Sequence, residues 1–292
     1  DHHAWVGVDP DVSLPHVMGH ELAGVVVEVG QDVRNFKKGD RVTAPFILGC
    51  GICGACGAGQ PTICESQDVI GFTMWGAFAE YIELTAADFN LVKFPQAIGF
   101  DAAAGMGCRV TTAYRAIIER CGLQKDEWLA VHGCGGVGSS AILIAKAIGA
   151  RVIAIDINPQ ALIKARQLGA DLTLDASTVP DVGQAVREHT QGGTQVSLDA
   201  LGIAQTFQAS LHSLCKLGRH VQVGMPVGES AIVPLELLDL VYARQLQISG
   251  SRGMGAQGFQ SLLSMIECGQ LNVDQLVTRQ INLGQVPDAL LD

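Results

Sequence analysis

Positive charge is scarce in this 292-residue sequence: 19 Lys and Arg stand against 29 Asp and Glu, for a formal net charge of −10. That balance argues against nucleic acid or anionic membrane as a main partner. No apolar run is long enough to span a bilayer; the longest are strand-sized and broken by Gly or charge. Neither end reads as a secretory signal, so a cytoplasmic location is expected. There is no internal repeat or low-complexity segment, and the 35 glycines follow no three-residue period, which excludes a collagen-like chain. Charged residues are only 16% of the total, but 48% of the chain is apolar, so it has the material for packed cores rather than disorder. Its length suits two cores of ordinary size. The nine cysteines are an odd number and four of them crowd between 50 and 64, a distribution that favours metal binding and free thiols over a disulfide scaffold.

Two halves read differently. Residues 1–105 carry short β runs, Leu22 to Val29, Arg41 to Ala44 and Ala77 to Leu84, punctuated by Gly-Asp and Pro. From about 110 strands alternate with helices: strands at Trp128 to His132, Arg151 to Ile157, Gln195 to Leu201, Arg219 to Val223 and Leu246 to Ser249, and helices at Val137 to Ile148 and Pro159 to Leu168. Such alternation with apolar strands predicts a parallel, doubly wound sheet. A last helix is expected over 256–268, after which the tail returns to the first domain.

Cys50, Cys53, Cys56 and Cys64 form C-x2-C-x2-C-x7-C in a stretch where Gly49, Gly51, Gly54, Gly57 and Gly59 let the backbone wrap closely. Four thiolates so spaced can close a tetrahedron around a structural zinc, with no position open to substrate. An iron–sulfur cluster takes four cysteines too, and four free thiols are the bland alternative.

Further on, Gly133-Cys134-Gly135-Gly136-Val137-Gly138 follows an apolar strand and opens a helix, the context that the dinucleotide-binding G-x-G-x-x-G requires. Gly133 permits the tight turn, Gly135 lets backbone approach a pyrophosphate, and Gly138 lets the helix pack on the strand. The N–H groups of the helix start then face the phosphates. Asp156 ends the next strand, where a carboxylate accepts ribose hydroxyls and repels a 2′-phosphate; Ile157, Asn158 and Pro159 bring no cation. NAD is therefore expected over NADP.

Gly19-His20-Glu21 precedes a β run, and Cys108 stands where the two halves join. Across that junction His20 and Cys108 could share a second zinc, although a lone His and a lone Cys are more often structural. The order of Gly19-His20-Glu21, the four-cysteine lobe, Trp75-Gly76-Ala77-Phe78-Ala79-Glu80-Tyr81 and the glycine turn resembles the zinc-dependent medium-chain alcohol dehydrogenases, over essentially the whole chain. The resemblance implies an α/β fold with an irregular part: a groove-like catalytic β domain over 1–109, a Rossmann domain over 110–250, and a return segment over 251–292, with catalysis in the cleft.

It also implies roles. His20 and Cys108 become catalytic zinc ligands, with Glu21 a carboxylate that approaches the metal during ligand exchange. Asp1 becomes the acid that orients the ligand histidine, and His3 the outer end of a proton relay. Trp5 and Phe46 line an apolar substrate pocket. Thr112 lies near the nicotinamide, and backbone at Val223 and Ser249 holds its carboxamide. The family's first zinc-ligand cysteine has no counterpart among these residues, so a chain cut at both ends is expected, with two zinc ions per full-length subunit. The implied activity is reversible hydride transfer between NAD and a small alcohol or aldehyde, in a homodimer or homotetramer. The rivals are a zinc-free NADPH quinone reductase, which should lack the cysteine lobe, and a non-catalytic zinc- and nucleotide-binding paralogue.

Overall fold

The computed structural model describes residues 1–7, 9 and 11–290; the side chains of His2 and His3 lie outside the described set, and the expectation for His3 with them. Two compact units emerge, residues 1–111, 253–267 and 273–292 in one and residues 112–252 and 268–272 in the other.

In the first unit the strands are short: β1 (Ala23–Val25), β2 (Arg41–Thr43), β3 (Ile47–Leu48), β4 (Asp68–Val69) and β5 (Val92–Lys93). β2 is the centre of an antiparallel three-stranded sheet, with Ala23 opposite Thr43 and Val42 opposite Lys93, while β3 pairs with β4. Leu22, Ala44, Leu48 and Ile70 form a core on which Met74, Ala77, Ile82 and Leu84 pack. The expected strands at 22–29 and 77–84 are corrected here: the first is a ladder only over Ala23–Val25, and the second forms none. Alternation turns Ile82 and Leu84 inward, but Ala77 is out of phase with them, and a ladder also needs a neighbouring backbone in register. Beside β1 runs a groove of about 970 Å³, lined by Val25, Val27, Val29, Tyr81 and Ile82 among others; His20 and Cys108 are not part of it.

The second unit holds a six-stranded sheet, parallel throughout, of β6 (Trp128–His132), β7 (Arg151–Asp156), β8 (Leu172–Asp175), β9 (Thr194–Asp199), β10 (Leu214–Gln222) and β11 (Gln247–Gly250), in the order β11-β10-β9-β6-β7-β8. Leu129, Ala130, Val131, Ile153, Ala154, Val196 and Leu198 are fully buried, as strands covered on both faces demand. The crossover helices are Gly136–Ala147, Pro159–Gln167, Val182–His189 and Ala204–His212. Asn158 and Asp181 cap two of them by accepting from the backbone N–H of Gln160 and Gln184. β8 and the last two helices were not predicted. Val182–His189 has few apolar residues to mark its buried face, although Asp181 is a readable cap.

Strand order reverses between β6 and β9, and the crevice outside the carboxyl ends of parallel strands at such a switch point is where α/β sheets bind ligands. The glycine turn leaves β6 there.

Candidate active site

The cysteine lobe is built by local turns. Cys53 caps the short helix Gly54–Gly57, its sulfur accepting from Cys56 N–H, and Cys50 N–H points at Cys64 Sγ at 3.5 Å. Gly49 is required because a Cβ there would lie 2.8 Å from Pro61 Cβ and 2.9 Å from Cys56 Sγ. Cys50 Sγ is 4.0 Å from Cys56 Sγ, Cys53 Sγ is 3.7 Å from Cys64 Sγ, and all four sulfurs lie within 4.8 Å of one another. A tetrahedron with zinc–sulfur arms of ~2.3 Å has edges of about 3.8 Å, so the donor set fits zinc. Backbone N–H groups of Ile52 and Cys53 draw the Cys50 thiol down to about 6, whereas burial pushes Cys56 up to about 12. Cys50 thus parts with its proton far more readily than Cys56.

A second cluster forms around Gly19-His20-Glu21. Gly19 has φ +100°, and a Cβ on it would lie 2.6 Å from Phe78 N. Gly71 and Gly76 press on it from the other strands of chain: their Cβ atoms would come within 2.7 Å and 2.4 Å of Gly19 O. The glycine of Trp75-Gly76-Ala77 is therefore a packing requirement of the histidine turn. Asp1 clamps the same turn, Oδ1 accepting from Gly19 N–H at 2.9 Å and Oδ2 lying 3.0 Å from His20 Nδ1. Cys108 arrives on a π-helical turn, Met106–Val110, whose Gly107 O accepts from Phe46 N–H at 3.0 Å. Ligand atoms of His20, Glu21 and Cys108 lie within 4.8 Å of one another, all inside the first unit. Donors held at 2.0–2.3 Å by one metal are at most about 4.6 Å apart, and imidazole with thiolate is a donor set suited to zinc.

Two neighbours of this cluster escaped the sequence reading. Arg109 grips Glu21 with a two-pronged fork, Nε to Oε1 at 3.0 Å and Nη2 to Oε2, and adds its backbone N–H at 3.3 Å. The Glu21 hydrogen bond raises the Arg109 pKa against the effect of burial. Its signal was adjacency: Glu21 follows His20 and Arg109 follows Cys108, so joining one pair brings the other together. Phe72 joins Phe46 beside His20, each ring centroid 5.8 Å from the imidazole. Trp5, by contrast, is 42% exposed at the end of the helix His2–Trp5.

In the second unit the glycine turn meets its structural demands. Gly133 has φ +92° and packs on Leu201, and a Cβ on Gly138 would lie 1.8 Å from Gly133 O. A Cβ on Gly135 would meet nothing within 4 Å, and no side chain caps the helix start at Gly136 and Val137. The open side of Gly135 together with these N–H groups fits a pyrophosphate. Asp156 Oδ2 accepts from Cys134 N–H at 2.7 Å and Oδ1 from Asn158 N–H at 2.9 Å, which fixes the carboxylate at the rim of β7. Val223 follows β10, and Ser249 in β11 sits opposite Val221, so both lie toward the same carboxyl ends. Thr112 is buried at the start of this unit.

Comparison with known proteins agrees with both halves. Residues 1–96 match the model of the alcohol dehydrogenase GroES-like domain, and residues 136–267 match that of the zinc-binding dehydrogenases. An alcohol dehydrogenase of Geobacillus stearothermophilus is 34% identical over 279 residues, covering 95% of this chain and 80% of the relative. The chain belongs to the zinc-type medium-chain alcohol dehydrogenases.

The NAD-dependent alcohol dehydrogenase of Sulfurisphaera tokodaii is 33% identical over 97% of this chain and 79% of its own length. The solved structure of alcohol dehydrogenase TADH from Thermus sp. ATN1 superposes with a TM-score of 0.91 at 29% identity, over 99% of this chain and 84% of that one. As a zinc-type alcohol dehydrogenase the protein is an oxidoreductase that uses NAD and zinc and acts on small alcohols or aldehydes. No helix among the described residues is long and apolar enough to cross a membrane.

Proposed function

We propose that this dehydrogenase oxidises small uncharged alcohols reversibly, with NAD preferred to NADP, using His20 and Cys108 as ligands of the catalytic zinc and Cys50, Cys53, Cys56 and Cys64 as a closed structural site. The observation that carries the reading is the convergence of His20 and Cys108, donors far apart in sequence, within 4.8 Å on a histidine turn held by three packed glycines. When bound, zinc supplies Lewis acidity that lowers the pKa of an alcohol oxygen, and NAD accepts the hydride.

The chain's own residues prepare that chemistry. Asp1 lies against Nδ1 of His20 and so orients the ring with its other nitrogen free to ligate. Arg109 neutralises Glu21 and holds it by both oxygens, so Glu21 becomes an exchange ligand only if that fork opens. Phe46 and Phe72 flank the imidazole with apolar surface that excludes water and suits an uncharged substrate. Thr112, Val223 and Ser249 are assigned to the nicotinamide end of the coenzyme, with Trp5 and His3 in the outer pocket and relay. Asp156, a fixed carboxylate, favours ribose hydroxyls over a 2′-phosphate. The domain division at 109 and 250, a cytoplasmic location and a homo-oligomeric state belong to the same reading.

The test combines metal analysis with kinetics. His20→Ala is expected to abolish turnover while NADH titration by fluorescence stays nearly unchanged, and kcat/KM with NAD should exceed that with NADP at least tenfold, about 1.4 kcal/mol. Turnover surviving the loss of His20 would instead indicate a zinc-free reductase.

A further inference from the structure

We propose that the second unit carries an anion site, separate from the coenzyme crevice, that takes a phosphoryl group. The site is a pocket of about 350 Å³ lined by Arg187, His212, Cys215, Lys216, Asp239 and Arg244, with Gly192 at its edge. Arg187 comes from the last turn of the helix Val182–His189 and His212 ends the helix Ala204–His212. Cys215 and Lys216 lie in the first turn-out of β10, and Arg244 follows the π-helical segment Leu237–Ala243.

Both guanidiniums are half-buried and tethered to main chain, Arg187 donating to His212 O and Arg244 to Leu214 O. Among the described residues no carboxylate stands within ion-pair distance of either, although Asp239 shares the pocket. Burial first, and Arg187 second, hold the Arg244 pKa below the usual arginine range, so the two cations feel one another. Asp239, whose charge opposes the Arg187 effect on Arg244, is the one carboxylate of the lining against Arg187, Lys216 and Arg244, so a net positive charge is left that a bound anion offsets. Two helices end here, and a helix C-terminus by itself disfavours an anion. Arg187 meets that objection by covering the terminal carbonyl of His212.

Three permanent cations on one pocket also run against the sign of a chain whose net charge is −10. Donors that approach from a helix end, a strand start and a separate turn suit a dianion with several oxygens better than a planar carboxylate, and Arg forks with a Lys ammonium are common phosphate partners. The pocket lies where β10 begins, whereas the glycine turn and Asp156 lie where β6 and β7 end; in a parallel sheet these are opposite edges.

Cys215 supplies a local reporter in the unaltered protein. Its alkylation by neutral iodoacetamide, followed by peptide mass spectrometry at constant ionic strength, should slow saturably by about fivefold or more in millimolar inorganic phosphate, while the exposed Cys268 is unaffected. Glycerol 3-phosphate serves as a second probe: protection by both ligands assigns a site for phosphoryl groups in general, and protection by the ester alone assigns it to phosphorylated metabolites. R187Q and R244Q should each lose the protection, while Cys268 alkylation stays unchanged in both. Equal alkylation with and without either ligand, or protection unchanged in both variants, would overturn the proposal.

Discussion

Single atoms decide what the glycine turn tolerates. Gly138 and Gly135 are three positions apart, yet a Cβ on the first would overlap Gly133 O at 1.8 Å and one on the second would meet only open space. Gly135 also has an ordinary φ of −68°. Gly138→Ala is therefore expected to cost about 3 kcal/mol or more in urea unfolding, by forcing helix from strand. Gly135→Ala should change stability by no more than about 0.5 kcal/mol. Its effect should fall on NADH titration, weakened about tenfold or more, or 1.4 kcal/mol, because the added methyl stands where backbone must approach phosphate. At this scale much was legible in the sequence. The turn and the cysteine lobe each lie within 15 residues, so spacing already implied their geometry. The Arg109 fork on Glu21 was not legible, because its partners stand 88 positions apart and meet only after the chain folds.

Elements set the energetics. The lobe between Cys50 and Cys64 contributes little apolar core, and two of its cysteines are among its few buried residues. Metal must supply the missing stability, so Cys56→Ser, or chelation of the native protein, should lower Tm by roughly 10 °C. NADH affinity, which depends on the other unit, should hold within about twofold. β6 and β10 each bury a histidine, His132 against Ser213 and His220 against Ser197 and Ser210. Burial lowers both from 6.5 to about 4, opposed for His132 by Asp199 and for His220 by its hydrogen bond with Gln222 and then by Asp199. In the unfolded chain they bind protons near pH 6.5, and in the folded one only near 4, so their contribution is complete above pH 6.5 and fades as pH falls toward 4. Each should remove about 2 kcal/mol of unfolding free energy between pH 6.5 and pH 5. Urea titrations across that range check this, and His220→Asn should flatten the slope. Element reading succeeds unevenly: Trp128–His132 carries the apolar run Trp128 to Val131, is buried from Leu129 on and was read to the residue, whereas Ala77–Leu84 alternates only over its last four residues and has no ladder to join.

For the whole molecule, the second unit leaves β11 at the sheet edge, and Ile232, Leu238 and Tyr242 nearby in sequence are 89%, 77% and 79% exposed. Large exposed apolar side chains, and a strand at the sheet edge, are each features that association covers. Light scattering is expected to report a dimer or larger assembly, and Leu238→Asp with Tyr242→Asp should shift it toward monomer while far-UV circular dichroism stays unchanged. A native protein that sediments as a monomer at micromolar concentration would count against this.

The sheet order also constrains how the protein is made. β6 can join β7 as soon as both have left the ribosome, but its other edge waits for β9, about 60 residues later. At typical elongation rates of ~5–20 residues per second that edge stays open for roughly 3 to 12 s. The first unit waits longer still: residues 253–267 and 273–292 belong to it, so it is completed after the whole second unit has been synthesised. The histidine turn and the cysteine lobe are therefore translated well before the last segments of their own unit, and the lobe's thiols wait out that interval without their full set of neighbours.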